Sequence, residues 1–164
     1  MNTNANRVEI VIHKRERTLL LYMEGRLART YPVALGRNWA TDKAVEGDEA
    51  TPLGEFYICA KNPRSRYFLS VCISYPNAED AARGLAGGLI SLEEHADIVD
   101  AIRLRTMPPQ RTMLGGEIYI HGHGNARADE PMRDWTRGCI ALEDFAMRDL
   151  YELVGIGTPV RIME

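Results

Sequence analysis

The chain has 164 residues, 45% of them hydrophobic and 26% charged, with a formal net charge of -3. That size and balance fit one globular domain able to bury a core without disulfide or metal staples, and no polybasic block offers itself to nucleic acid or anionic lipid. No run approaches the roughly 18 apolar residues of a membrane span, so an integral membrane protein is not expected, and the polar start MNTNANR lacks the apolar stretch of a secretory signal.

The N-terminal third reads as β-structure. RVEIVIHKR places Val8, Ile10 and Ile12 on one face, and TLLLYMEGRLARTYPVALG forms a hairpin turning at Glu24-Gly25. The polar stretch GRNWATDKAVEGDEATPLG then reads as a long surface loop, a length that in a compact domain often carries function. Two more strands, GEFYICAK and RYFLSVCISYP, bring Cys59 and Cys72 onto neighbouring segments. With Cys139 the cysteines number three, so at least one thiol stays free in a monomer. Buried free thiols are the preferred reading of Cys59 and Cys72 over a disulfide.

A short helix over NAEDAARGLAG takes Asn77 as its cap, and ISLEEHADIVDAIRLRTMPPQ is a longer one. There Ser91 and Glu94 make a capping-box pattern, and His95, Ile98, Val99 and Ile102 form the apolar-side stripe. Pro108-Pro109 is expected to stop it. The strand GGEIYIHGHG follows, then a loop to Cys139 and, directly after it, a helix over EDFAMRDLYELVG capped by Gly155. TPVRI closes the chain as a last strand. The expected fold is mainly β with a few helices, a single domain over 1–164 with a helical insertion at about 77–107.

The chemistry gathers in IYIHGHGNARADEPMRDWTRGCIAL. A free thiol, with a pKa of about 8.5, is only a few per cent ionised near neutrality and needs a base beside it. Cys139 follows Gly138 in a turn where backbone N–H groups can hold an oxyanion. His121 ends an apolar strand before Gly122, a place from which an imidazole can face a loop-borne cysteine while a backbone carbonyl holds its other nitrogen. The same stretch also admits a metal reading. His121 and His123 form an H-x-H pair, with Cys139 or Asp129 as a third zinc ligand.

IHG, a loop and WTRGCIAL together resemble the signature of the L,D-transpeptidase (YkuD-like) catalytic domain family. Fourteen residues separate His121 from Thr136 and twelve separate His123 from it, so only His121 fits the family's spacing. GDEATPLGEFYI, SYPN, LGGEIYIHG and GTPVRI resemble further family segments, and the likeness runs over essentially the whole chain. It implies a β-sandwich or barrel-like catalytic domain that needs no cofactor or metal. In this resemblance Cys139 is the nucleophile, His121 the base and then acid, Gly122 the carbonyl that orients the imidazole, and the N–H groups of Gly138 and Cys139 the oxyanion hole. The donor is the third residue of a peptidoglycan stem peptide and the acceptor an amine on a second stem.

Where many members carry histidine this chain has Arg137, whose guanidinium suits a stem-peptide carboxylate. Thr136, Trp135, His123 and Asn125 are further candidate cleft residues, and ARADEPMRD is a candidate flap. Hydrolysis stands as the alternative outcome, either as an L,D-carboxypeptidase or as an amidase cutting a lipoprotein link to peptidoglycan. A non-catalytic peptidoglycan-binding domain stands as the alternative class. The substrate implies a periplasmic or cell-wall location reached by an export signal beyond these residues; a leaderless secreted effector is the second option. Oligomeric state is not legible.

Overall fold

The protein is seen here as a computed structural model that describes residues 7–124 and 133–164. The alternating pattern of the first third does what period two requires: Ile10 and Ile12 of β1 (Val8–His13) and Leu19 and Leu21 of β2 (Thr18–Met23) are buried, with their neighbours turned outward. β2 and β3 (Arg26–Pro32) join through Glu24 and Gly25, both at positive φ, the turn that matches the twist of a two-residue hairpin. β4 (Gly54–Ser65) and β5 (Phe68–Ile73) pair antiparallel, as expected, and the Cys59 thiol donates to the Cys72 carbonyl at 3.5 Å.

Both interior helices start as their sequences dictate. In α1 (Ala78–Ala86) Asn77 and Asp80 bond reciprocally, and in α2 (Leu92–Leu104) Ser91 and Glu94 do the same. They pack around Ala81, Ile90, Ile98 and Leu114, an apolar cluster distinct from the main core. One expectation fails here: α2 ends before Pro108-Pro109, at Arg105, which adopts the left-handed conformation with φ 55°. A left-handed cap satisfies the last carbonyls, so no proline is needed to stop the helix.

The second half is less regular than expected. β6 is only Tyr119–His121, and a two-residue strand absent from the sequence reading, β7 (Ile140–Ala141), separates Cys139 from α3 (Asp144–Leu153). Cys139 therefore precedes a strand and not a helix. α3 ends at an extended Val154, not at a Gly155 cap, and β8 (Pro159–Met163) closes the chain.

The eight strands form one curled sheet in the order β3-β2-β1-β8-β4-β5-β6-β7. First and last strands of the chain are parallel neighbours, Ile10 opposite Val160 and Ile12 opposite Ile162. The curl brings the two edges of the sheet together. Ala34, just past β3, exchanges two 2.9 Å backbone hydrogen bonds with Ala141 of β7, and Thr136 exchanges bonds with Leu35 and Arg37. Of the two expected architectures the sheet adopts the barrel-like one, a half-barrel laced at one seam. α3 packs on β5 and buries Ala146, Met147 and Leu150 in the core. No helix among the described residues is long and apolar enough to cross a membrane.

Candidate active site

β6 and β7 run parallel, with Ile120 opposite Ile140, which sets Cys139 beside Tyr119. His121 lies two residues further along β6, on the same face as Tyr119 because side chains alternate along a strand. The Cys139 thiol is held from both sides of the main chain: the Tyr119 N–H donates to Sγ at 3.4 Å, and Sγ donates to the Glu117 carbonyl at 3.4 Å. Cys139 and His121 line one cavity of about 910 Å³. Its walls include Arg37, Lys43, Glu46 and Glu49, so the polar stretch read as a surface loop forms one side of the cleft.

His121 is almost fully buried at 3% exposure, and its Nδ1 lies 2.6 Å from the Gly122 carbonyl oxygen. A carbonyl only accepts, so Nδ1 carries the proton and Nε2 is the bare, basic nitrogen. The ring stacks on Tyr67 at 4.6 Å, and Trp135 meets it edge-on at 5.7 Å. Burial pushes the imidazole down to about 4; the Gly122 bond opposes this and His123 adds to it. Burial also pushes the Cys139 thiol up to about 11, with Glu117 acting the same way and the Tyr119 N–H and Lys43 against it. The resting pair is thus a neutral thiol and a neutral imidazole.

The loop carrying Cys139 is braced from within. Thr136 Oγ1 donates to the Cys139 carbonyl at 2.7 Å and accepts from the Gly138 N–H at 3.2 Å. Thr136 is buried, lines the same cavity, and uses its hydroxyl to shape the loop. The Gly138 N–H is likewise occupied, by Thr136, so of the two N–H groups expected to form the oxyanion hole the one on Cys139 is left for that role. What Gly138 supplies is conformation. Its φ is +128°, and a Cβ there would stand 2.7 Å from the Ala50 carbonyl oxygen. Thr51 ties this loop to the opposite wall, donating from Oγ1 to the Gly138 carbonyl at 2.9 Å and accepting from the Gly36 N–H at 3.0 Å.

Of the other candidates, Trp135 and Arg137 line the cavity, Arg137 exposed at its edge. His123 sits edge-on to Trp135 at 5.8 Å, with a buried Nε2 that has no partner among the described residues. It is not among the residues that line the cavity. Asn125, Asp129 and most of the ARADEPMRD segment lie outside the described residues. For the metal reading, no three His, Cys, Asp or Glu side chains among the described residues are grouped to hold an ion. Three residues of the site escaped the sequence reading: Tyr67, Thr51 and Asp144, whose Oδ1 accepts from the N–H of His123 at 2.7 Å and of Gly124 at 3.0 Å. None carries a local motif; the TP pair within GDEATPLG was the nearest signal for Thr51.

The family model for the L,D-transpeptidase catalytic domain, YkuD, matches residues 7–162. The chain belongs to this family. Among curated proteins it is 35% identical to YafK of Escherichia coli (strain K12) over 99 residues, 56% of this chain and 39% of that protein. The assignment of YafK as an L,D-transpeptidase is itself provisional. The chain thus spans about two-fifths of the curated relative it matches. Among solved structures it resembles the helical cell shape determining protein Pgp2 from Campylobacter jejuni, with a TM-score of 0.66 at 22% identity over 98% of this chain and 49% of that one. It also resembles the L,D-transpeptidase LdtMt1 in complex with imipenem, with a TM-score of 0.56 at 15% identity over 96% of this chain and 59% of that one. At these identities the structures show a shared fold, the curled YkuD half-barrel.

Proposed function

We propose that the chain is a cysteine-dependent peptidoglycan L,D-transpeptidase, with Cys139 as nucleophile and His121 as base and acid. The observation that carries this reading is the pairing, in one cavity, of a thiol cradled by Tyr119 and Glu117 with an imidazole whose Nδ1 is committed to the Gly122 carbonyl. As the Cys139 sulfur attacks the carbonyl of the third stem residue, its proton passes to His121 Nε2. The tetrahedral oxyanion is received by the Cys139 N–H. Collapse breaks the bond to the terminal D-amino acid, whose amine leaves with the proton from His121, and a thioester remains. An acceptor amine then attacks the thioester, gives a proton to His121, and leaves as an amide while the proton returns to sulfur.

Thr136 and Gly138 position the nucleophile in this scheme. Arg137, exposed beside it, is the residue that meets a stem-peptide carboxylate, and Trp135 forms the wall against which the peptide packs. The substrate places the enzyme in the periplasm or at the cell wall. Because the fold is shared with an imipenem-bound transpeptidase, a carbapenem serves as the probe: the thiol opens its strained ring and retains the whole molecule. Mass spectrometry is expected to show one adduct on Cys139. Cys139→Ala and His121→Ala are each expected to abolish it, while His123→Ala retains most of the rate. A parent protein that takes no adduct, or a folded His123→Ala variant that is dead, would overturn the assignment. Incubation with defined muropeptides is expected to yield a cross-linked dimer; trimmed stems alone would make the enzyme a hydrolase.

A further inference from the structure

We propose that Asp144 is a positioning residue that acts on His121 through a single peptide unit, completing the catalytic pair from behind. This rests on the reading of His121 as the base. The Gly122 carbonyl, which accepts from His121 Nδ1 at 2.6 Å, and the His123 N–H, which donates to Asp144 Oδ1 at 2.7 Å, belong to the same planar amide. A carboxylate pulling on the N–H end of that amide deepens the negative charge on its oxygen end, where the imidazole donates. The link fixes both the plane of the peptide and the strength of the acceptor.

Three further features converge on it. Asp144 Oδ1 also accepts from the Gly124 N–H at 3.0 Å, so two successive amides are clamped by one oxygen. Asp144 opens α3, so the partial positive charge of the helix N-terminus draws this side chain toward the same place. Gly122 is hemmed in: a Cβ there would lie 2.5 Å from Asp144 Oδ1 and 2.9 Å from the Tyr67 carbonyl oxygen, so only glycine lets the carboxylate close on this amide. In papain- or chymotrypsin-like sites a side chain touches the second ring nitrogen directly. Here a backbone carbonyl takes that place, and the charge stands one amide further back. As Cys139 gives up its proton, the imidazolium that forms is supported through the amide by Asp144.

The test uses D144N and D144A, each checked for a parent-like circular dichroism spectrum and melting transition. An Asn side-chain oxygen can still accept from both N–H groups but carries no charge. D144N is therefore expected to keep the His121 proton on Nδ1, read from the nitrogen shifts of 15N-histidine-labelled protein, while carbapenem acylation slows by about tenfold, the scale at which losing a ligand's outer partner is felt. D144A is expected to slow acylation at least as much and to mix the two imidazole tautomers. A folded D144N that acylates within twofold of the parent overturns the proposal, as does a folded D144A with parent-like shifts. The nitrogen shifts are read on resting protein without any substrate. A parent that takes no adduct therefore counts against the transpeptidase reading, while the shifts still decide the role of Asp144.

Discussion

A buried histidine that stays neutral ties both chemistry and stability to pH. His121 is packed by Tyr67 and Trp135 and feels the charge of His123, with Cys139 in the same cavity and Asp144 behind the Gly122 amide. Its folded pKa of about 4 lies below the ordinary value of 6.5. Between those values the unfolded chain holds a proton that the folded one does not, so stability falls as pH is lowered. The contribution is full above about pH 6.5 and is lost through about pH 4, on the order of 3 kcal/mol. Urea unfolding at pH 7 and pH 4 should show this loss in the parent and less of it in His121→Gln. The same residue sets the acid limb of acylation, expected near pH 4 with a flat rate through neutrality. A thiol held up at about 11 predicts that subtracting the Cys139→Ala spectrum from the parent's leaves no thiolate absorbance at 240 nm at pH 7, the difference appearing only in strong alkali. Gly138→Ala tests conformation at this scale. With φ +128° and the Ala50 carbonyl in the way, it should lose about 1–3 kcal/mol in thermal or urea melts and most of its acylation rate.

Elements carried different amounts of their own signal. β1, β2 and both capping boxes were legible because each rests on contacts within a few residues, and the hairpin turn announced itself in Glu24-Gly25. β7 was not, since a two-residue strand has no period to read, and it exists only because β6 lies beside it. The His121–Cys139 assignment came from motif and spacing, whereas Tyr67 and Asp144 reach the site from segments whose local sequence says nothing of it, and Thr51 was marked only by the TP pair of GDEATPLG. The stretch 36–54 shows the difference: its polarity suggested a loop, but its role comes from long-range bonds. The buried Lys14 ammonium donates to the Thr41 and Thr51 carbonyls at 2.8 and 2.6 Å, and Thr51 reaches on to Gly138. Thr51→Val removes one acceptor and one donor while keeping the shape. It should lose about 1–3 kcal/mol of stability, and acylation should fall at temperatures where the variant is still fully folded. A rate that tracked the folded fraction alone would remove Thr51 from the site.

At the scale of the whole molecule, the curled sheet explains why a cysteine near the C-terminal end can meet a wall built from residues near the start. The bonds between Ala34 and Ala141 and between Thr51 and Gly138 join positions far apart in sequence, and each lies within a few residues of the nucleophile. A site stitched together this way exists only when the sheet has closed, so partly folded chains should hold Cys139 as an ordinary exposed thiol. Slow contacts of this kind also set the pace of folding, because loop closure must precede any gain from the contact.

The pairing of β1 with β8 adds a constraint in time. A ribosome releases β1 before the other strands, yet the neighbour that covers one side of it, Pro159–Met163, follows all the other strands of the sheet. Until then β1 has only its hairpin partner, and β4 lacks β8 on its outer side. A growing chain therefore cannot complete its sheet before Met163 has emerged. Arrested nascent chains ending before Pro159 should remain protease-sensitive, and chains that include Pro159–Met163 should gain resistance in a single step.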